Sequence, residues 1–215
     1  MTKIAIVTGA SRGFGRGVAY VLGAEADYKV YATARTKLAL DELREDVANS
    51  VGAGKIVPIV LDQNDDDAVT RFVDRVTEAE QKIDLLVNSA YAGLIAMTPH
   101  FGKPFRERPI SVYDGSMNVG VRSSYVMSKL VAPSMVKNRS GLIVQISSWG
   151  GFTYVFDVAY GVAHAAMDRL SFDMATEFQE HKVHALTIHR SGAQSDVTEF
   201  PDGETVSYTH LRAHE

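Results

Sequence analysis

The stretch that decides the fold is Thr8-Gly9-Ala10-Ser11-Arg12-Gly13-Phe14-Gly15, in a chain of 215 residues. It follows the apolar run Ile4-Ala5-Ile6-Val7 and precedes apolar residues at helical spacing, Val18, Val21 and Leu22. The order is therefore strand, glycine-rich turn and helix. Such a turn lets the backbone approach a pyrophosphate, and the helix offers free N–H groups and the positive end of its dipole. The stretch predicts a dinucleotide site, with Gly9 in the turn, Gly13 near the phosphates and Gly15 where helix and strand pack closely.

Apolar runs typical of strands alternate with helical patterns along the chain. We predict strands over 3–8, 29–34, 55–61, 83–88, 141–147 and 182–189, and helices over 13–24, 37–50, 66–81, 112–137 and 159–180. The alternation predicts an α/β fold, a Rossmann-type doubly wound parallel sheet with helices on both faces. Pro58 weakens the third strand, because proline has no N–H for the ladder. The stretch from Tyr91 to Pro109 is predicted to be irregular, either a substrate-side lid or a surface loop.

The composition excludes several classes of function. The formal net charge is −4 and no Lys/Arg-rich run occurs, so we expect neither nucleic acid nor an anionic membrane as a partner. The chain has no cysteine, which excludes disulfides and thiolate chemistry. Its histidines show no recognised zinc spacing, and we expect no metal site. Since no apolar run is long enough to cross a bilayer and no signal-peptide layout is present, a cytoplasmic protein is expected.

Two motifs carry a resemblance to a known family. The spacing Gly-x-x-x-Gly-x-Gly after Thr8 resembles the classical short-chain dehydrogenase/reductase superfamily. The run Asn88-Ser89-Ala90-Tyr91-Ala92-Gly93 looks like that family's Asn-Asn-Ala-Gly motif with two residues inserted before the glycine. This variant is similar to one branch, the dehydrogenase/reductase member-one-like proteins. The resemblance implies an NAD(P)(H)-dependent oxidoreductase that interconverts a carbonyl and a secondary alcohol on a small-molecule substrate, and that forms a homodimer or homotetramer.

The end of the second predicted strand bears on the choice of cofactor. An acidic residue there would bind the adenosine ribose and repel a 2′-phosphate. This chain has uncharged Ala34 followed by Arg35, and Arg12 lies in the glycine turn. Two guanidinium groups suit a phosphate dianion, so NADP(H) is favoured over NAD. The alternative is that both arginines are solvated surface residues.

The resemblance also implies a set of cofactor-binding residues. The set is Thr8, Gly9, Ser11, Arg12, Gly13, Phe14, Gly15, Arg35, Asp62, Asn88, Ala90, Tyr160 and His164. In the family an aspartate at the position of Asp62 binds the adenine amino group. An aspartate at a strand end can equally cap the helix predicted to start near Asp66.

The resemblance places the reaction centre between the fifth strand and its helix. Ser148 would polarise the substrate carbonyl, and Tyr160 would protonate the developing alkoxide. We prefer Ser148 to Ser147 because Ser-x-x-Gly, ending at Gly151, fits the family pattern. Asn118 matches the family's catalytic asparagine, which holds a water in the proton relay. The alternative for Asn118 is a polar helix residue that bonds nearby backbone.

The family pattern then breaks at two places. The family has Tyr-x-x-x-Lys, whereas here His164 stands four residues after Tyr160, on the same helical face. Histidine is mostly neutral at pH 7, so the charge that lowers the tyrosine pKa is largely lost. This departure favours a second hypothesis, an NADP-binding protein with little or no turnover. The family's Pro-Gly turn is replaced by His189-Arg190-Ser191-Gly192, and Ser195 stands for the usual threonine on the pyrophosphate.

The last ten residues, 206–215, correspond to one reading frame of a common sequencing-library transposon adapter. We interpret them as a non-native, adapter-encoded tail and residues 1–205 as a single NAD(P)-binding domain. The family has a further helix and a seventh strand beyond this point. We therefore expect the last strand to be missing, which would leave 182–189 as an exposed hydrophobic edge.

Overall fold

The structure, a computed structural model, describes residues 2–190 and the backbone of residues 210–212. The strands are β1 (Ile4–Thr8), β2 (Lys29–Ala34), β3 (Lys55–Val60), β4 (Leu85–Asn88), β5 (Gly141–Ser148), β6 (Val183–Arg190) and β7 (His210–Arg212). The α-helices are α1 (Gly13–Ala24), α2 (Lys37–Ala48), α3 (Asp66–Glu80), α4 (Gly93–Met97), α5 (Ile110–Ser116), α6 (Ser123–Asn138) and α7 (Val158–Phe178). Single turns of 3₁₀ helix occupy Thr98–His100, Phe105–Glu107, Trp149–Gly151 and Gln179–His181, and an irregular π-type stretch, Met117–Arg122, lies between α5 and α6.

The strands form one sheet in the order β3-β2-β1-β4-β5-β6-β7. The first six strands are parallel, and β7 is antiparallel to β6. The chain runs outward from β1 in one direction through β2 and β3, and in the other through β4 to β6. The carboxyl ends of β1 and β4 therefore flank the point where the strand order reverses, which is where open α/β sheets bind ligands.

Two apolar cores lie on opposite faces of the sheet. Neighbouring residues of β1 separate into them: Ile6 packs in one core with Phe72 of α3, and Val7 packs in the other with Leu40 of α2. All five residues of β1 are buried. A strand covered on both faces has no need of polar alternation, so the predicted doubly wound sheet is confirmed.

Pro58 lies within a strand, although its missing N–H argued against one. It pairs with Ala32 of β2, and β3 is the outermost strand on its side of the sheet. An edge strand has one row of backbone groups without a ladder partner, so it accommodates a proline that a central strand would exclude.

The single helix predicted over 112–137 is wrong. The chain leaves helical geometry at Val119 (φ −107°, ψ 84°) and Gly120 (φ 167°, ψ −81°), which separates α5 from α6. Tertiary contacts explain the break. The Ala92 N–H donates to the Val119 carbonyl at 2.8 Å, and a Cβ on Gly120 would lie 2.9 Å from Cδ2 of the Tyr91 ring.

The stretch from Tyr91 to Pro109 is less irregular than predicted. It contains α4 and two single turns of 3₁₀ helix, joined by short connections. None of the described helices is both long enough and apolar enough to traverse a bilayer.

The outer side of β6 is not the open edge that we expected. Thr187, Ile188 and His189 of β6 pair with β7 over its three residues, 210–212. An unpaired strand edge presents a row of N–H and C=O groups that another segment can use, which explains the pairing. β7 lies in the segment that we interpret as adapter-encoded, and that interpretation stays a prediction.

Candidate active site

A cleft opens at the carboxyl ends of the strands, at the point where the strand order reverses. Ten of the thirteen predicted cofactor-binding residues line it: Gly9, Ser11, Arg12, Gly13, Phe14, Gly15, Arg35, Asp62, Ala90 and His164. The other three, Thr8, Asn88 and Tyr160, are buried and are not among the residues that line the cleft. After the roles predicted for their residues, we call the end of the cleft at the glycine turn the nucleotide end and the end at α7 the reaction end.

The glycines of the turn have the conformations that their predicted roles require. Gly9 and Gly13 have φ of +69° and +55°, in the left-handed region that favours glycine. A Cβ on Gly9 would lie 2.8 Å from the Ala90 Cα, and a Cβ on Gly15 would lie 2.4 Å from the Gly9 carbonyl oxygen. Side chains at these positions would force the turn apart.

The N-terminus of α1 faces the cleft without a cap. Arg12 is the N-cap residue but makes no side-chain capping bond, and the first turn contains no acidic residue. The N–H groups of Gly13, Phe14 and Gly15 precede the first intrahelical donor, that of Arg16. Free N–H groups at the positive end of a helix dipole make an anion site, so this end suits a pyrophosphate.

Thr8 and Asn88 do not line the cleft, but their hydrogen bonds hold the turn after β4 that forms part of its wall. The Thr8 hydroxyl oxygen accepts hydrogen bonds from the backbone N–H groups of Ser89 and Ala90, at 3.0 and 3.1 Å. It thereby ties the end of β1 to the turn after β4. The Asn88 amide donates to the Ser128 hydroxyl at 3.0 Å, which ties the same turn to α6.

Three charged residues line the nucleotide end. Arg12 and Arg35 are exposed, and within residues 2–190 no carboxylate forms an ion pair with either. Asp62 accepts from the Asn64 backbone N–H at 2.9 Å and from its side-chain amide at 3.2 Å. The N-cap of α3 is instead Asp65, which accepts from the Ala68 N–H. The alternative role of Asp62 as a helix cap is therefore wrong.

Ser148 and Tyr160 meet at the reaction end. Tyr160 is only 3% exposed. Burial raises the pKa of Tyr160, while a side-chain hydrogen bond with Ser148 and the positive charge of Arg190 act in the opposite direction. The two hydroxyls thus lie close enough to interact, and their roles in proton transfer stay predictions. Ser147 faces another partner, with its hydroxyl 3.3 Å from Nδ1 of His164.

His164 lies beside Tyr160, one helical turn further along α7. The ring centroids are 4.1 Å apart. Burial, helped by the charges of Arg190 and His189, lowers the pKa of His164 to about 3, so the imidazole is neutral at physiological pH. Its Nε2 is buried without a hydrogen-bond partner among the described residues, and the side chain lines the cleft. A hydroxyl on a bound ligand would satisfy this nitrogen.

Tyr91 forms part of the reaction end, which the sequence analysis did not predict. Its ring lies edge-on to Tyr160 at 5.9 Å between centroids and 5.0 Å from His164, and its hydroxyl donates to Ser116 at 3.2 Å. Burial raises the pKa of the Tyr91 phenol well above its ordinary value. Tyr91 belongs to the two-residue insertion before Gly93, and this insertion was the feature of the sequence that could have indicated its place in the site.

Arg190 was also missed as a site residue. It ends β6, pairs in register with Ser148 of β5 and lines the cleft. Its positive charge opposes the rise that burial causes in the pKa of Tyr160, and it adds to the fall in the pKa of His164. Within residues 2–190 no carboxylate forms an ion pair with it. Arg190 belongs to the stretch that replaces the family's Pro-Gly turn, and this replacement was the feature of the sequence that could have indicated its place in the site.

Residues 3–202 match the family model described as short chain dehydrogenase. The chain belongs to the short-chain dehydrogenase family. It is 40% identical over 198 residues to "Dehydrogenase/reductase SDR family member 1" of Mus musculus, over 91% of this chain and 62% of that protein, and the Homo sapiens protein gives the same figures. The chain therefore spans less than two thirds of the length of these curated relatives.

Two further similarities bear on the cofactor. The chain is 32% identical over 187 residues to "Carbonyl reductase [NADPH] 2" of Sus scrofa, covering 86% of this chain and 69% of that protein. A solved metagenomic short-chain oxidoreductase in complex with NADP matches with a TM-score of 0.79 and 27% identity, over 89% of this chain and 83% of that one.

Asn118 lies apart from the other residues that the short-chain dehydrogenase pattern groups with it. Asn118 is exposed and is not among the residues that line the cleft. It lines an open depression that adjoins the cleft at Asn64, together with Asp66, Asp67 and Arg122. It precedes the helix break at Val119 and Gly120. Its role in holding a relay water stays a prediction. The remaining departures, at Ser191, Gly192 and Ser195, lie outside the described residues.

Proposed function

We propose that the chain catalyses the NADP(H)-dependent interconversion of a carbonyl and a secondary alcohol. The observation that carries the proposal is the buried Ser148–Tyr160 hydroxyl pair, in contact with rings that line a cleft built from the glycine turn. The similarity to an NADPH carbonyl reductase and to a short-chain oxidoreductase solved with NADP supports the same function for this chain.

The residues of the cleft fit NADP(H). The uncapped N–H groups of α1 would hold the pyrophosphate, and Arg12 and Arg35 would hold the 2′-phosphate. The orphaned Nε2 of His164 would bond a ribose hydroxyl. When bound, the cofactor supplies or accepts the hydride.

The protein's own residues handle the oxygen and the proton. Ser148 donates a hydrogen bond to the substrate oxygen, and Tyr160 gives its proton to that oxygen as the alkoxide develops. Burial keeps the Tyr160 phenol protonated, which suits an acid and therefore the direction of carbonyl reduction. Since Tyr160 is 3% exposed, a substrate reaches the phenol when a covering ring such as Tyr91 moves.

The first test is NADPH oxidation by the purified chain with benzaldehyde and acetophenone, followed by cofactor absorbance. The wild-type chain should turn over, and Ser148→Ala should lose roughly 10²–10³-fold, as when one oxyanion donor is removed. Ser140→Ala, in the turn before β5, is the matched control and should keep the wild-type rate. Turnover unaffected by Ser148→Ala would refute the assigned chemistry.

A second function, NADP binding with little or no turnover, is favoured by His164. A neutral imidazole supplies no cation beside Tyr160, which the family's lysine would. His164→Lys separates the two functions. A large gain in rate would mean that the lysine charge is what the wild-type chain lacks. NADPH binding by both proteins with turnover by neither would support the binding function.

We also propose that the chain self-associates. Val162 is exposed on α7, the type of helix through which members of this family usually associate, and Tyr125 is exposed on the neighbouring α6. Light scattering coupled to size exclusion should give a mass of two or four chains. A single-chain mass across the accessible concentration range would refute the proposal.

A further inference from the structure

A buried ion pair joins the segment before α5 to the start of α7. Nη1 of Arg108 lies 2.7 Å from Oδ2 of Asp157, and the two side chains are 7% and 2% exposed. Most ion pairs on a protein surface contribute little, but a buried pair is sensitive to the loss of either partner. This pair therefore holds the two segments in one relative position.

Arg108 is anchored on both sides of the junction. Its Nε donates to the Lys103 carbonyl at 2.9 Å, within its own segment. Its Nη2 donates to the Phe156 carbonyl at 3.5 Å, next to Asp157. The planar guanidinium fork thus fixes orientation as well as distance, which a lysine ammonium would not.

Asp157 passes this constraint to the catalytic tyrosine. It is the N-cap of α7, and its Oδ1 accepts the backbone N–H of Tyr160 at 2.7 Å. Its backbone carbonyl also accepts the Gly161 N–H at 3.2 Å. One carboxylate oxygen is held by Arg108 while the other holds Tyr160, so a rotation of the carboxylate would shift the first turn of the helix.

Phe156 makes a second connection to the same phenol. Its φ is +63°, in the left-handed region that is costly for a bulky residue. Its ring packs edge-on against Tyr160 at 5.1 Å, and against Phe101 at 6.1 Å. The bond from Arg108 to the Phe156 carbonyl helps to hold this backbone, and with it the ring that covers Tyr160.

We propose that Arg108 is a positioning residue for Tyr160, acting through Asp157 and Phe156. It couples the segment of residues 91–109 to the placement of the phenol. The coupling through the backbone does not depend on the proposed function, whereas its effect on turnover rests on it. The two parts are therefore tested separately.

The first experiment measures amide hydrogen exchange in the full chain. Arg108→Gln should accelerate exchange in peptides from both 98–108 and 157–164, because the bond at Tyr160 N–H loses its support. Arg106→Gln is the matched control, since Arg106 is 79% exposed and pairs with its neighbour Glu107. Faster exchange confined to 98–108 would overturn the proposal, as would unchanged exchange in both peptides.

A rescue variant guards against simple misfolding. In the Arg108→Gln/Asp157→Asn double variant, an amide pair replaces the ion pair, and asparagine still caps the helix. The double variant should recover slow exchange at 157–164. The single variant Asp157→Asn leaves the Arg108 charge buried and unpaired, so its exchange at 157–164 should be faster than in the wild-type chain. Wild-type exchange in Asp157→Asn would contradict the pairing.

The second experiment measures turnover with NADPH and benzaldehyde. Arg108→Gln should lower kcat at least about tenfold, because small displacements of a reacting group are costly. The Kd for NADPH should stay unchanged, since Arg108 is not among the residues that line the nucleotide end. Arg108→Lys should restore part of kcat. If kcat and exchange at 157–164 both stay at wild-type values, Arg108 does not position Tyr160. Absence of turnover in the wild-type chain would refute the proposed function, and the exchange result would still decide the coupling.

Discussion

The two ends of the cleft are built by different means. At the nucleotide end, backbone N–H groups, glycines and exposed guanidinium groups face the open cleft, and the family's glycine spacing is kept. At the reaction end, aromatic rings bury the hydroxyl pair, and a neutral histidine stands where the family has a lysine. Under the proposed function, cofactor binding would depend on the course of the backbone, and turnover would depend on a few buried side chains. A substitution could therefore weaken turnover and leave cofactor binding unchanged, or the reverse.

The largest expected effect comes from Tyr160→Phe, which should abolish most of the turnover and leave cofactor binding in place. Removing the acid should lower turnover of benzaldehyde by roughly 10²–10⁴-fold. NADPH binding, followed by cofactor fluorescence, should change little, because Tyr160 is not among the lining residues. Tyr113→Phe, an exposed tyrosine of α5, is the control and should behave as wild type. A parallel loss of NADPH binding would show that the two ends are not separable.

The next effect concerns the nucleotide end. Arg35→Gln should weaken NADPH binding roughly 10–100-fold, since a charge-assisted bond to a phosphate contributes about 1.5–3 kcal/mol. NADH binding should hardly change, because NADH has no 2′-phosphate. Arg71→Gln, an exposed arginine of α3, provides the control. Equal weakening of NADH and NADPH would assign Arg35 to another part of the cofactor.

The reaction end should make stability depend on pH. The pKa of His164 is lowered from 6.5 to about 3 in the folded chain, so the unfolded chain binds more protons between these values. Stability should therefore fall as pH falls through this window, by roughly 1.4 kcal/mol per pH unit from this group. His164→Gln should flatten the dependence measured by urea unfolding, whereas His184→Gln, exposed on β6, should not. An unchanged slope in His164→Gln would mean that the imidazole titrates normally.

The smallest expected effect tests whether Arg190 substitutes in part for the missing lysine charge. Its positive charge lowers the pKa of Tyr160, so Arg190→Gln should raise that pKa. In alcohol oxidation, where tyrosinate is the base, the rising limb of the pH–rate profile should move to higher pH, with a few-fold loss at neutral pH. Arg190→Lys should keep the wild-type limb. A loss of rate without any shift of the limb would point to a steric role.

Most of the fold was predictable because its signals are local. The six parallel strands follow from apolar runs, and the turn at Gly9 and Gly13 follows from positions that need positive φ. Pro58 shows the limit of a local rule, since only the strand order reveals that β3 is at an edge. The helix over 112–137 failed for a similar reason: the contacts that break it come from Tyr91 and Ala92, far away in the sequence.

The site was less predictable than the fold. The pair Ser148 and Tyr160 followed from the family resemblance, and the neutral state of His164 followed from the ordinary pKa of histidine. The Arg108–Asp157 pair did not, because nothing in the spacing shows that these side chains are buried together. Asn118 carried the family motif, but its side chain faces a different depression. A motif states which residue is present, and only the backbone around it decides where the side chain points.

The uncapped start of α1 has a consequence for how the chain folds. Donors that face the cleft without protein partners leave this end of the helix free to bind an anion. A ligand that binds only the folded state shifts the folding equilibrium by mass action, by about 2.7 kcal/mol at a hundredfold excess over its Kd. If NADPH binds there as proposed, raising its concentration would stabilise the folded chain and slow the loss of the sheet on heating.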